Sequence, residues 1–193
     1  MPAATRALIL ANVAVFGLLL LGGEALFDWF ALWPPGDERF MPWQLVTYAF
    51  LHGGLAHIAF NMFGLYFMGA DVERVWGASR YLVYYLVCVV SAGALQMLMV
   101  LLGNVSGGPM VGASGGVFGL LLAFAMLFPR RTIIPLFPPI PMPAWLFAML
   151  YGGLELVLGV TGAQAGVAHF AHLGGMLGGW LLIQRWRAGR TRL

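Results

Sequence analysis

Six apolar stretches dominate this chain, each long enough to cross a bilayer as a helix. They cover approximately residues 7–23, 48–70, 81–102, 112–128, 144–160 and 165–184, and each is bounded by charge, proline or glycine clusters. A spanning helix needs about 20 mostly apolar residues, with roughly 17 as the lower limit. Of the 193 residues, 61% are hydrophobic and only 9% charged, so a soluble fold would expose far too much apolar surface. The expectation is an all-α membrane protein: one domain, residues 1–193, folded as a six-helix transmembrane bundle with no soluble domain left over. The first stretch follows Arg6 and has the look of a signal peptide, but it runs through Leu21-Gly22-Gly23-Glu24 into further spans and reads as a retained anchor. The single cysteine, Cys88, has no partner for a disulfide.

Charge then sets orientation. All ten basic residues are arginines, and nearly all flank apolar segments, which signals topology rather than nucleic-acid binding. If six spans alternate, Arg6, Arg74, Arg80, Arg130, Arg131, Arg185, Arg187, Arg190 and Arg192 fall on one side. The other side holds only Arg39, against Glu24, Asp28, Asp37 and Glu38. The bias of positive charge toward the cytoplasm puts both termini there. The longest connection, residues 24–47, carries Phe27, Trp29, Phe30, Trp33 and Trp43 and reads as a segment lying in the membrane interface. The proline-rich stretch 135–143 reads as a stiff link between spans four and five.

Polar groups inside spans are costly, so their positions carry the functional evidence. Span two holds His52, His57 and Asn61, the last two four apart and therefore on one helix face. Ser114 falls in the first turn of span four, after the glycine-rich segment 107–112, and span six begins with His169 and His172. Even-numbered spans all descend from the outer face, so these groups reach similar depth, on the order of 10 Å below the surface at 1.5 Å rise per residue. Gly115 with Gly119, Gly174 with Gly178 and Gly175 with Gly179 are small-xxx-small pairs that let helix backbones approach. A serine hydroxyl needs an adjacent neutral imidazole to take its proton as it attacks a carbonyl. Ser114 with His172 supplies that pair, although His169 faces a similar direction and periodicity alone does not choose between them. The oxyanion formed by attack would be held by the Ser114 amide, the Asn61 side chain and the His57 ring. No carboxylate is placed to orient the base, so the expectation is a dyad rather than a triad. Glu155 in span five is paired by nothing the sequence shows.

These residues resemble a known family. Gly112-Ala113-Ser114-Gly115 resembles the Gly-x-Ser-Gly motif of the rhomboid intramembrane proteases, and His172-Leu173-Gly174-Gly175 with Gly179 resembles their His-x-x-Gly-x-x-x-Gly. His52, His57 and Asn61 resemble the family's His-x-x-x-x-His-x-x-x-Asn, and Gly69-Ala70-Asp71-Val72-Glu73 its Gly-x-x-x-Glu. The resemblance runs from about Trp43 to Gly179, in order. It implies a six-helix bundle opened to water from the outside, in a bacterial inner membrane, cleaving transmembrane protein substrates near their outer ends without a metal or organic cofactor. It assigns Ser114 as nucleophile and His172 as base, with His57 and Asn61 as oxyanion donors, and leaves His52 structural and His169 a loop-side or lining residue. Two positions depart from the family pattern: Gln44 follows Trp43 where an arginine is usual, which bears on loop anchoring, and Phe118 stands where bacterial members often have tyrosine.

Rival readings come from other classes. A small transporter or proton pathway would also place histidines and a glutamate in the membrane, but such a route must cross both leaflets. Here His52, His57, Ser114, Glu155, His169 and His172 all map to the outer half, with Asn12 the exception below. A zinc site has possible ligand spacing in His169 and His172, yet the chain lacks His-Glu-x-x-His and no carboxylate lies in a matching place. A noncatalytic relative that binds membrane clients is the third reading, opposed by the presence of both Ser114 and His172. Substrate identity and oligomeric state are not written in the residues.

Overall fold

A computed structural model describes residues 1–105, 107–135, 138–163 and 166–190, without the side chain of Arg190. Arg192 and Ala165, the expected first residue of span six, lie outside the described residues, as do two residues of the proline-rich link. Each expected span falls on a helix. Helix α1 covers Ala3–Leu20 and the short α2 Glu24–Phe30; after the single turn α3 (Gln44–Thr47) come α4 (Leu55–Gly64) and α5 (Ala70–Trp76). Then follow α6 (Ala78–Leu101), α7 (Ser114–Leu127), the two-residue strands β1 (Thr132–Ile133) and β2 (Met142–Pro143), α8 (Ala144–Thr161) and α9 (His169–Arg190).

Four of these helical stretches are long and apolar enough to cross a membrane: Ala3–Leu20, Leu55–Trp76, Ala78–Leu101 and Ala144–Thr161. The protein is therefore an integral membrane protein. The two remaining helices depart from the rule for reasons that bear on function. Helix α7 has only 14 residues because Gly112 takes φ +122° and delays the helix start to Ser114. Helix α9 is diluted by two histidines and by glycines because it packs at the centre, against α6, α7 and α8, rather than against lipid. Large apolar side chains such as Leu10, Phe60, Phe63, Met149 and Val157 are exposed on the outside of the bundle, where acyl chains replace water.

The second span differs most from expectation. Residues 48–54 are not part of its long helix: a 3₁₀ turn over Tyr48–Phe50 gives way to Gly53 and Gly54, and the helix begins at Leu55. From there α4 runs through a π-helical turn over Leu65–Gly69 into α5, so helix continues past Asp71 and Glu73. Those carboxylates find partners. Glu73 Oε1 accepts the Ala4 amide (2.9 Å), and its Oε2 accepts the amide and the hydroxyl of Thr5 (each 2.7 Å), so a side chain of the second span caps the first turn of α1. Asp71 bridges Arg74 and Arg131, and the Arg80 guanidinium lies over Trp186. Arginines from separate connections thus gather at one end of the bundle.

The 24–47 connection is a folded structure. Gln44 is fully buried: Oε1 accepts the amides of Trp33 (3.3 Å) and Met41 (3.1 Å), while Nε2 donates to the carbonyls of Arg39 (2.8 Å) and Trp29 (3.3 Å). The residue whose departure from the family pattern put loop anchoring in question is itself the anchor. Trp29 stacks on Trp43, and Arg39 pairs with Asp37, whose carboxyl it holds down to about 2, while covering the Trp33 ring. Leu32 and Met110 exchange backbone hydrogen bonds of 3.0 and 2.9 Å, tying this connection to the segment just before Ser114.

Candidate active site

Position 112 determines how Ser114 is presented. Its φ of +122° is open to glycine, and a Cβ there would stand 2.6 Å from His57 Nε2. The Gly112 amide donates to the Tyr48 carbonyl (2.9 Å), fixing the approach to α7, and the Ser114 amide follows in the first helical turn, where no intrahelical acceptor exists for it. Glycine also decides how α7 meets α9. A Cβ on Gly175 would lie 1.9 Å from the Gly115 carbonyl oxygen, and one on Gly119 would lie 2.3 Å from Cys88 Sγ and 3.1 Å from the Gly175 carbonyl oxygen. The small-xxx-small pairs are thus a backbone-to-backbone seam.

That seam brings the hydroxyl of α7 to an imidazole of α9: Ser114 Oγ and His172 Nε2 are 2.8 Å apart. Phe118, one turn after Ser114, stacks on the His172 ring with centroids 4.2 Å apart and planes 6° from parallel, so the ring contact is kept where the tyrosine hydroxyl is not. His57 and Asn61 face the same cavity as Ser114 and His172. One Nδ2 hydrogen of Asn61 donates to the His57 carbonyl (3.0 Å), which leaves the other for a ligand. His52 is buried edge-on against His57, behind it.

The structure corrects one expectation and extends another. A carboxylate does reach the histidines: Glu155 Oε2 on α8 lies 2.7 Å from His169 Nδ1 and 2.8 Å from His172 Nδ1. His169, expected as a loop-side or lining residue, does line the cavity, but it is also buried at the start of α9 and holds Glu155. Glu155 was visible in the sequence as a lone carboxylate in an apolar span, which is itself a functional signal. Its partners were not visible, because the rotation of α8 against α9 is not encoded in so uniformly apolar a helix. The ligand atoms of Glu155, His169 and His172 lie within 4.8 Å of one another, close enough to be considered for a metal. Zinc ligands at about 2.1 Å from a tetrahedral ion stand over 3 Å apart, so the 2.7 Å hydrogen bond from His169 and the 2.8 Å approach of His172 describe a paired carboxylate that an ion would have to spread.

The cavity has a volume of about 1120 Å³ and runs as a groove between α4 and α8. Its histidines and Ser114 cluster toward the 104–112 segment; along the rest lie Phe63, Phe67, Leu121, Ile133 and Phe147.

Fold and site together define a class: a helical membrane protein with a hydroxyl–imidazole pair inside its bundle, beside a lateral apolar groove. The Rhomboid domain model matches residues 39–186, and the chain belongs to the rhomboid family. It is 29% identical over 180 residues to the rhomboid protease GlpG of Yersinia pestis (strain Pestoides F), and 28% identical over 179 residues to that of Pectobacterium atrosepticum. Each alignment takes in 92% of this chain and 60% of the relative, so the chain spans less than two thirds of the length of these relatives.

Proposed function

We propose that the chain is an intramembrane serine endopeptidase that cleaves transmembrane protein substrates near the outer leaflet. The observation that carries this reading is the 2.8 Å contact between Ser114 Oγ and His172 Nε2 at a cavity wall within the bundle. Ser114 is the nucleophile and His172 its base. Nε2 takes the hydroxyl proton as Oγ bonds to the scissile carbonyl carbon, and the carbonyl π pair moves onto oxygen. His57, the free Nδ2 hydrogen of Asn61 and the Ser114 amide are the donors for that oxyanion. His172 then protonates the leaving amine, and water completes the cycle by the same route in reverse. Family membership and the relatives named as proteases support the reading. The gathering of the cavity's histidines toward one end argues against an ion path across both leaflets.

The groove between α4 and α8 is where a client helix would lie, its unwound end at Ser114. The grouping of arginines supports an orientation with both termini in the cytoplasm of a bacterial inner membrane. Neither metal nor organic cofactor enters the scheme. The test is cleavage of a reporter transmembrane helix in liposomes: Ser114→Ala abolishes it, and a fluorophosphonate labels wild type but not His172→Ala. Cleavage by Ser114→Ala, or loss of activity to a chelator without labelling of Ser114, refutes the assignment.

A further inference from the structure

Burying a carboxylate in an apolar helix is costly unless it is paired. Glu155 is 8% exposed, and one of its oxygens, Oε2, is approached by two ring nitrogens, His169 Nδ1 at 2.7 Å and His172 Nδ1 at 2.8 Å. An ionised carboxylate only accepts hydrogen bonds, so the nitrogens facing it are those that carry hydrogen. In a neutral imidazole this leaves Nε2 with the lone pair, and on His172 Nε2 is the nitrogen that meets Ser114 Oγ at 2.8 Å.

Of the other contacts of His172, that with Ser114 Oγ favours the same ring orientation but, because a hydroxyl both donates and accepts, does not choose the tautomer. Phe118 stacks flat on the ring and fixes its plane. A 180° flip within that plane would keep the stacking while exchanging Nδ1 with Cδ2 and Nε2 with Cε1. Glu155 distinguishes the two, because only one puts a donor against its charge. His169, its ring nearly perpendicular to that of His172 at 89°, makes the well-directed hydrogen bond and holds the carboxylate in place. The approach to His172 Nδ1 meets the distance of a hydrogen bond but lies off the N–H axis. Such contacts tighten when charge develops, and here a proton arriving on Nε2 makes His172 a cation beside the carboxylate.

Resting on the serine protease reading above, we propose that Glu155 is a positioning residue for His172: it selects the ring orientation and tautomer that present Nε2 to Ser114, and it stabilises the imidazolium formed on attack. Glu155 keeps its charge throughout; the serine proton moves to Nε2 and on to the leaving amine, never to the carboxylate.

The experiment compares the full chain with Glu155→Gln, Glu155→Asp and Ser114→Ala in liposomes, using a reporter helix, fluorophosphonate labelling and ¹⁵N-histidine NMR. The His172 signals are identified by their loss in His172→Gln. In wild type, His172 carries hydrogen on Nδ1. Glu155→Gln keeps the shape but loses the charge: kcat falls on the order of 10–100-fold, by analogy with the range for losing a partner that orients a metal-binding histidine, with KM within about twofold. Labelling of Ser114 slows in proportion, and the Nδ1–H tautomer loses its dominance. Glu155→Asp, charged but shorter, recovers part of the rate. Wild-type kcat in Glu155→Gln overturns the proposal, as does a fall in kcat with the tautomer unchanged. Should Glu155→Gln fail to fold, the wild-type spectrum still decides, since a His172 protonated on Nε2 at rest is incompatible with the role. Cleavage by Ser114→Ala sinks the protease reading itself; an inactive Ser114→Ala beside a fully active Glu155→Gln sinks only the role of Glu155.

Discussion

Replacing Gly175 with alanine adds one methyl group three residues from His172, and the structure says how far the backbone must yield. The new Cβ would sit 1.9 Å from the Gly115 carbonyl oxygen, 2.7 Å from its carbonyl carbon and 3.2 Å from its Cα. None of these atoms belongs to a side chain that can rotate away. Reaching even 3.0 Å from the oxygen, a floor that real Cβ atoms essentially never cross, requires α7 and α9 to part by about 1.1 Å. Gly115 adjoins Ser114, and His172 lies one turn before Gly175, so the separation is delivered to the 2.8 Å Ser114–His172 contact. That contact lengthens to nearly 4 Å, beyond the roughly 3.0 Å upper end of an O–H···N or O–H···O hydrogen bond. Overpacking of this kind costs about 1–3 kcal/mol of stability, and a displacement of about 1 Å at a reacting pair costs about 10²-fold in rate. Gly175→Ala should therefore stay folded in detergent with a lowered Tm while cleavage of a reporter helix falls about a hundredfold. Two neighbours calibrate the result. At Gly178 the added Cβ meets Ser91 Oγ at 2.1 Å and Ser91 Cβ at 2.4 Å, a clash that presses α9 away from α6 rather than from the helix that carries Ser114, and at Gly153 it meets nothing within 4 Å. The expected order of damage is Gly175, then Gly178, then Gly153 with almost none. Cleavage by Gly175→Ala within threefold of wild type would refute the argument that this seam sets the distance between Ser114 and His172.

Two further outcomes concern the frame around the site. Glu73→Ala removes three hydrogen bonds from the first turn of α1 and leaves buried donors unpaired; at about 1.5–3 kcal/mol for a bond to a charged group, thermal unfolding in detergent should shift down by several degrees, while activity well below the transition survives because Glu73 does not line the cavity. Gln44→Leu keeps the volume but orphans the amides of Trp33 and Met41 and the carbonyl of Arg39; limited proteolysis should then cut within residues 24–47 many times faster than in wild type, and an unchanged digestion pattern would mean that the stacked tryptophans hold the connection without it.

Much of the architecture was legible because the bilayer enforces it. Six apolar stretches had to become helices, and polar groups inside them had to point at one another. The meeting of α4, α7 and α9 could be read from glycine spacing and from the positions of His57, Ser114 and His172. What could not be read was rotation. Helix α8 is apolar on nearly every face, so nothing in its pattern says that Glu155 turns toward α9 rather than toward a neighbour or the cavity alone. Gln44 was opaque for another reason: an amide offers both donors and acceptors, and whether it can replace an arginine depends on which backbone groups surround it, which is a property of the folded connection. The second span was misjudged at its start because a 3₁₀ turn and Gly53-Gly54 interrupt an apolar run, and at its end because hydropathy ends a helix at charge, whereas here Asp71 and Glu73 continue it by pairing with other elements.

The same physics explains why the polar set sits where it does. In hydrocarbon a hydroxyl, two imidazoles and a carboxylate must find partners within the protein, and each of these does so on a different helix: Ser114 from α7, His169 and His172 from α9, Glu155 from α8. No one helix can satisfy its own polar groups, so the site exists only when all three pack. Glycine makes that packing close enough along the α7–α9 seam, but α8 has no equivalent seam there: Gly152 meets only Met176 side-chain atoms, at 3.3 Å and beyond. The Ser114–His172 distance is thereby set by rigid backbone contact, whereas the Glu155–His172 distance depends on a more adaptable packing surface.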